Sequence, residues 1–116
     1  MRSKGNYGES LAKTYLIQQG FQILKQNFYT RFGEIDIIAA KQKTIHIIEV
    51  KYTSRFYIDA IYKINRKKIR RMIQTTQIYM DQSKLFNQYY QFDLITIIDD
   101  QVKYYPQIFS LTDYDR

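Results

Sequence analysis

Two short apolar segments that each carry charges constrain what this chain can fold into. They span residues 33–38 and 45–51. Both are rich in Ile and bounded by turn-forming and polar residues, which is typical of buried strands. Because side chains alternate along a strand, Glu34 and Asp36 should share one face. Glu49 and Lys51 should share a face for the same reason. If the strands pair as a hairpin, three carboxylates and an ammonium group meet at one patch, which is the candidate active site.

Length and cysteine content limit the class of protein. The chain has 116 residues and no cysteine. This length predicts one domain, residues 1–116, whose core needs neither disulfides nor a structural metal. The lack of cysteine excludes thiol chemistry, disulfide bonds and cysteine-based zinc sites. The first residues lead into a polar helical pattern, and no apolar run approaches the length of a membrane span. We therefore expect a soluble, cytoplasmic protein with no membrane partner.

Hydrophobic periodicity predicts the element order α-β-β-β-α-β-β. Gly20 stands where a C-cap glycine would end the first helix, and Asn65 is a good N-cap for the second. The first three strands are joined by short turns, so they should form an antiparallel meander. Residues 54–64 mix aromatic and charged side chains without a clear period and are interpreted as a loop. The predicted elements are a helix at 7–19, strands at 21–28, 34–40 and 44–52, a helix at 66–81, and strands at 92–98 and 102–109.

Much of the positive charge lies in one short window at the start of the second helix. The net charge is +7, from 18 basic and 11 acidic residues. A helix N-terminus disfavours cations, so their placement makes sense if an anion binds there. A localised basic surface favours nucleic acid, a solvated helix face is the alternative, and an anionic membrane is disfavoured because the helix lacks an aromatic face. This basic stripe consists of Arg66, Lys67, Lys68, Arg70 and Arg71.

Several other positions each have two interpretations. Glu9 lies at the border of the apolar stripe of the first helix, so it either reaches what the helix packs on or serves as a favourable first-turn carboxylate. His46 falls on the opposite strand face from Glu49 and is interpreted as a packed residue rather than a ligand. Aromatic residues after the second charged strand either stack on bases or pack against the protein. They are Tyr52, Phe56, Tyr57 and Tyr62.

The charged patch suits metal-dependent phosphodiester hydrolysis. Carboxylates are hard oxygen ligands that suit Mg²⁺ or Mn²⁺, and such an ion polarises a phosphate and activates water. Asp36 and Glu49 would be the ligands. Lys51 would orient or deprotonate the attacking water, or offset charge on the phosphate. The alternative is a buried ion-pair cluster that only fixes the hairpin register, although such clusters are poor stabilisers.

The order of these motifs resembles a known family. Asp36 followed by Glu49-Val50-Lys51 resembles the PD-(D/E)XK nuclease signature without its Pro. Together with residues 5–9 (GNYGE), Asn27 and residues 33–38 (GEIDII), it resembles the YraN family of small bacterial endonuclease-like proteins. Archaeal Holliday junction resolvases are similar in placing a helix Glu, a strand Asp and a Glu-X-Lys in this order.

The resemblance implies an α/β fold with a restriction-endonuclease-like αβββαβ core, a mixed sheet flanked by helices. It also implies that Glu9, Asp36 and Glu49 bind Mg²⁺ or Mn²⁺ and that Lys51 assists catalysis. Lys67 matches a lysine that recurs in the family and would contact phosphate. Glu34 also fits the family motif and either reaches the site or flanks it.

Two functional hypotheses follow. The first is a metal-dependent DNA endonuclease, with branched DNA as a candidate structured substrate and a homodimer as the assembly that two cuts on a junction would favour. The second is a non-catalytic nucleic-acid-binding module on the same fold. A purely structural role would predict no affinity for DNA even at low salt.

Overall fold

A computed structural model describes residues 3–52 and 65–109 and shows the predicted order of elements. The segment interpreted as a loop, with the candidate stacking residues Phe56, Tyr57 and Tyr62, lies outside the described residues. Neither described helix is both long and apolar enough to cross a membrane. The elements are α1 (Ser3–Gln18), β1 (Gln22–Thr30), β2 (Gly33–Lys41), β3 (Thr44–Tyr52), α2 (Arg66–Gln82), β4 (Tyr89–Ile98) and β5 (Gln101–Phe109).

The five described strands form one mixed sheet in the order β1-β2-β3-β4-β5. The β1–β2 and β2–β3 pairs are antiparallel, which confirms the predicted meander. β3 and β4 are parallel, and the connection between them contains α2, since parallel neighbours need a crossover. β5 returns antiparallel to β4. The fold is therefore α/β with a mixed sheet, as predicted.

The helices cover opposite faces of this sheet. Adjacent residues of β3 show this, because Ile47 packs in the cluster beneath α2 and Ile48 in the cluster beneath α1. α1 contributes Ala12 and Leu16 to its cluster. The predicted apolar stripe of α2 is confirmed at four buried positions, with Ile73 partly buried. Those four are Ile69, Met72, Thr76 and Met80.

Both predicted helix caps are present. Gly20 has φ +92°, its N–H donates to the Ile17 carbonyl, and the Phe21 N–H donates to the Leu16 carbonyl at 2.9 Å, which is a Schellman ending. The Asn65 Oδ1 accepts the Lys68 N–H at 2.9 Å and so caps α2. These caps fix where α1 meets the sheet and where the basic stripe begins.

β4 begins earlier than predicted. The sequence predicts a polar loop at residues 82–90 and a strand from Phe92, yet the strand starts at Tyr89. Tyr89 pairs in register with Thr44 at the start of β3. This boundary follows from parallel pairing with a distant strand, which local hydrophobicity does not report.

Candidate active site

The site forms where β2 and β3 separate. Their paired register ends at Ile37 and Ile48, although both strands continue beyond that point. At the opening, Asp36 Oδ2 accepts the Val50 N–H at 2.8 Å. The carboxylate thus takes the place of a main-chain acceptor, since a strand N–H without a partner is costly to bury. This bond fixes Asp36 at the gap between the strands.

The predicted convergence of carboxylates is present at this gap. Glu34, Asp36 and Glu49 line one narrow cleft, with Met72 of α2 on its wall. Lys51 lies two residues beyond Glu49 on β3 and is exposed. Within the described part of the chain, Lys51 forms no ion pair with these carboxylates. The structure therefore brings three acids together, and Lys51 is exposed and is not among the described residues that line the cleft.

Glu9 approaches the same region from α1. Its side chain is buried, with 7% exposed. The preceding Gly8 packs tightly on β3, since a Cβ on Gly8 would lie 2.8 Å from the Tyr52 Cβ. This close approach of the α1 backbone to the end of β3 carries Glu9 toward Asp36, whose pKa it affects.

The electrostatics of the cleft are those of crowded negative charge. Burial raises the pKa of Asp36 from 3.8 to about 7. The hydrogen bond from the Val50 N–H acts in the opposite direction, and the charges of Glu49, Glu9 and Glu34 each raise this pKa further. Three glutamates thus lie within electrostatic range of Asp36, and their charges and the protein interior together disfavour its ionised form.

The basic stripe borders the acids directly. Lys68 Nζ lies 2.8 Å from Glu49 Oε2, with the Lys68 side chain 41% exposed and that of Glu49 22% exposed. A cleft of about 370 Å³ joins these two residues to Glu34 and to two further cations, Lys67 and Arg71. Three of the five residues of the basic stripe, Lys67, Lys68 and Arg71, therefore line the same cleft as Glu34 and Glu49.

The acidic set suits Mg²⁺ or Mn²⁺ in its donor chemistry and its charge. Asp36, Glu49 and Glu9 offer hard oxygen donors, and a divalent cation would relieve the repulsion that raises the pKa of Asp36. In residues 3–52 and 65–109 as they are placed, no three acidic or histidine side chains are grouped closely enough to hold a metal ion.

A second polar cluster, missed by the sequence analysis, surrounds Asp93. Asp93 is fully buried; its Oδ2 lies 2.6 Å from His46 Nδ1 and accepts a hydrogen bond from the Tyr104 hydroxyl. Its Oδ1 accepts from the Gln107 N–H and the Gln91 side chain. Burial alone would raise the pKa of Asp93, but these four hydrogen bonds outweigh it and hold the pKa below its usual value. His46 is therefore a packed residue, as predicted, and an acid within an Ile-rich strand was the available signal for Asp93.

Fold and site define a class: an α/β protein in which carboxylates at a strand separation face a basic helix. The chain belongs to a family within that class, since the model described as uncharacterised protein family UPF0102, the YraN-type family, matches residues 8–97. A UPF0102 protein of Campylobacter fetus is 43% identical over 104 residues, which are 90% of this chain and 91% of the relative. A Campylobacter jejuni relative is 39% identical over the same shares. One from Vibrio parahaemolyticus is 41% identical over 100 residues, 84% of this chain and 83% of its own.

Proposed function

We propose that this protein is a metal-dependent endonuclease that hydrolyses phosphodiester bonds in DNA. The observation that carries the proposal is the direct contact of two opposite surfaces. A mutually repelling set of carboxylates, of which Glu9 is buried and the others are partly buried, lies beside a cleft lined by Lys67, Lys68 and Arg71. A phosphate held by these cations would lie next to acids that a divalent cation would neutralise. Acting on DNA, the protein would be cytoplasmic.

Each side chain has a distinct role in this proposal. Asp36, Glu49 and Glu9 would hold Mg²⁺ or Mn²⁺, which when bound polarises a phosphate and lowers the pKa of water. Lys51, which is exposed, would orient the attacking water, take its proton, or offset charge on the phosphate. The basic stripe would hold the DNA backbone.

The raised pKa of Asp36 argues against a purely structural ion-pair cluster. Burial and the charges of three neighbouring acids, Glu49, Glu9 and Glu34, raise this pKa to about 7. An ion-pair cluster that fixed the hairpin register would instead stabilise the ionised form of its acids, because unmatched buried charges destabilise a fold. The opposition to the ionised form of Asp36 favours a cation from solution.

A non-catalytic nucleic-acid-binding module is the second candidate. The specific observation in its favour is that Lys68 already contacts Glu49, so the protein supplies one cation of its own to the site. Such a module would bind DNA with a strong salt dependence and would need no metal.

Cleavage assays separate the two functions. Supercoiled plasmid and a synthetic four-way junction are incubated with Mg²⁺, Mn²⁺ or EDTA, with an RNA hairpin in parallel. We expect metal-dependent cleavage that Asp36→Asn and Glu49→Gln each lower by about 100-fold or more. Asn is chosen at position 36 because its Oδ1 can still accept the Val50 N–H. Asp81→Asn, which neutralises an exposed acid near the end of α2, is the matched control and should cut like wild type.

Two results would reject the endonuclease. One is DNA binding by the wild type with no cleavage under any metal condition, which leaves the binding module. The other is undiminished cleavage by Asp36→Asn. Cleavage of the RNA hairpin without cleavage of DNA would make RNA the substrate, and the proposed metal-dependent hydrolysis would stand.

A further inference from the structure

The turn between β1 and β2 is fixed against α2 by hydrogen bonds that the active site does not require. The hydroxyls of Thr30 and Thr75 are hydrogen-bonded at 3.1 Å, and Thr75 is 1% exposed. The Phe32 N–H donates to the Thr30 hydroxyl, also at 3.1 Å. A Cβ on Gly33 would lie only 3.7 Å from the Thr75 hydroxyl, so the turn backbone lies close to the helix. The turn is therefore held in place before any ligand arrives.

This attachment places Arg31 beside the basic stripe. Arg31 is exposed, and its guanidinium carbon lies 4.8 Å from the centroid of the Phe32 ring, a cation–π contact that limits where its charge can go. A second cleft runs between the turn and α2. Its charged lining residues are Arg31, Lys67, Arg70 and Arg71.

The second cleft continues the cleft of about 370 Å³ beside Glu34 and Glu49, since the two clefts share lining residues from the β1–β2 turn and from α2. The shared residues are Phe32, Gly33, Lys67 and Arg71. Together the clefts form one groove, whose walls are the β1–β2 turn and the first turns of α2. Of these two clefts, Glu34 and Glu49 line only the one of about 370 Å³, and the described residues that line the second include no acid. The groove thus changes from mixed charge at the candidate active site to positive charge at its far end.

We propose that the β1–β2 turn is a substrate-binding element in which Arg31 binds a phosphate next to the one at the carboxylates. The preferred substrate is then a nucleic-acid strand several nucleotides long, because a small phosphate ester would leave the far end of the groove empty. The inference rests on the proposed function, which supplies the nucleic acid as the ligand. It adds the direction in which the nucleic-acid strand leaves the site.

The test compares a groove variant with a matched control. Arg31→Gln removes the charge at the far end of the groove. Lys43→Gln removes an exposed charge in the β2–β3 turn, at the other end of β2. Binding of a fluorescent DNA duplex of about 20 base pairs, and of its single strand, is measured by anisotropy in EDTA over a range of salt. We expect Arg31→Gln to weaken binding about 3- to 10-fold and to lower the salt slope by about one, with Lys43→Gln unchanged.

A turnover measurement gives an independent readout. With Mn²⁺, Arg31→Gln should raise KM for a DNA oligonucleotide with little change in kcat. It should hydrolyse bis(p-nitrophenyl) phosphate, which has no flanking phosphates, at the wild-type rate. Thr75→Val keeps the shape of the side chain but removes the hydroxyl that holds the turn. It should therefore also raise KM for the oligonucleotide, although residue 31 is still arginine, because the turn no longer holds Arg31 beside α2.

The outcomes distinguish this inference from the proposed function. Equal DNA binding by wild type and Arg31→Gln overturns the inference, and cleavage that still depends on Asp36 would leave the endonuclease intact. An equal loss on both substrates also overturns it, because Arg31 would then act at the reacting phosphate. If the wild type binds the duplex but cuts no substrate, the endonuclease proposal is rejected. In that case the binding measurements by themselves decide whether Arg31 binds a phosphate. A wild type with no affinity for either probe overturns both.

Discussion

Replacing Asp36 with asparagine should stabilise this protein at neutral and alkaline pH. In the folded protein the pKa of Asp36 is about 7, against an ordinary 3.8. A carboxyl with a raised pKa in the folded state favours its protonated form there. The stabilisation from the protonated Asp36 carboxyl is complete below the pKa of Asp36 in the unfolded chain. It is lost as the pH rises through the pKa of Asp36 in the folded protein. The gap between the two values corresponds to about 4 kcal/mol against the fold once Asp36 is ionised.

Asparagine removes this penalty without removing the side chain's structural contact, since its Oδ1 can accept the Val50 N–H that Asp36 Oδ2 accepts at 2.8 Å. Urea unfolding of wild type and Asp36→Asn, followed by circular dichroism in EDTA at pH 5, 6, 7 and 8, measures the effect. From about pH 5 to 8 the unfolded carboxyl is already ionised and only the folded one titrates. The advantage of Asp36→Asn in the free energy of unfolding should therefore grow by about 3 kcal/mol over that range.

Asp81→Asn is the control for neutralising one acid, and its difference from wild type should not grow with pH. A constant difference for Asp36→Asn, or a variant less stable than wild type at pH 8, would refute the reasoning that burial and neighbouring carboxylates oppose the ionised form. Adding Mn²⁺ at pH 8 tests the metal role separately. A bound ion at about 100 times its Kd should stabilise the wild type by about 2.7 kcal/mol and Asp36→Asn by much less. No response to Mn²⁺ would reject the metal role and leave the pH result standing.

Three further variants probe the surroundings of the site. Lys68→Met should raise the Mn²⁺ affinity measured by calorimetry several-fold, because Lys68 competes with the ion for a carboxylate oxygen. Lys67→Met should change this affinity less, because Lys67 has no such ion pair among the described residues. Gly8→Ala should lower the free energy of unfolding by about 1–3 kcal/mol, since the added Cβ would lie 2.8 Å from the Tyr52 Cβ. Asp93→Asn should destabilise the protein by about 2–3 kcal/mol at pH 7. Because the pKa of Asp93 is lowered by its hydrogen bonds, that difference should shrink as the pH falls below the ordinary value.

Local chemistry was enough to predict most of the elements. The bounds of β3 match the prediction at both ends, because an Ile-rich run is bounded there by polar residues. Asn65 marked the start of α2 through the preference of its side chain for a cap, and Gly20 marked the end of α1. The start of β4 at Tyr89 was missed because pairing with Thr44, a residue 45 positions earlier, decides it.

The same distinction between local patterns and contacts between distant elements applies to the candidate site. Alternation along each strand, together with the expected pairing of the two strands as a hairpin, predicted that Glu34, Asp36 and Glu49 line one cleft. The ion pair of Lys68 with Glu49 depends on how α2 lies over the sheet, and no pattern in either segment indicates it. The place of Arg31 depends likewise on a hydrogen bond between hydroxyls 45 residues apart in the chain. Contacts between elements, rather than the elements themselves, are what the sequence left open.

The position of Asp36 connects the architecture of the sheet to the proposed chemistry. Where two antiparallel strands part, a main-chain N–H loses its partner, and a side-chain oxygen at that point can replace it. An amide oxygen would satisfy the Val50 N–H as well as a carboxylate does, and without the penalty of burying charge near three other acids. The fold therefore explains an acceptor at position 36 but not an acid. A charge that weakens the fold beside a cleft lined by cations is better explained by a ligand, and the divalent cation with a phosphate that we propose would match the surrounding charges.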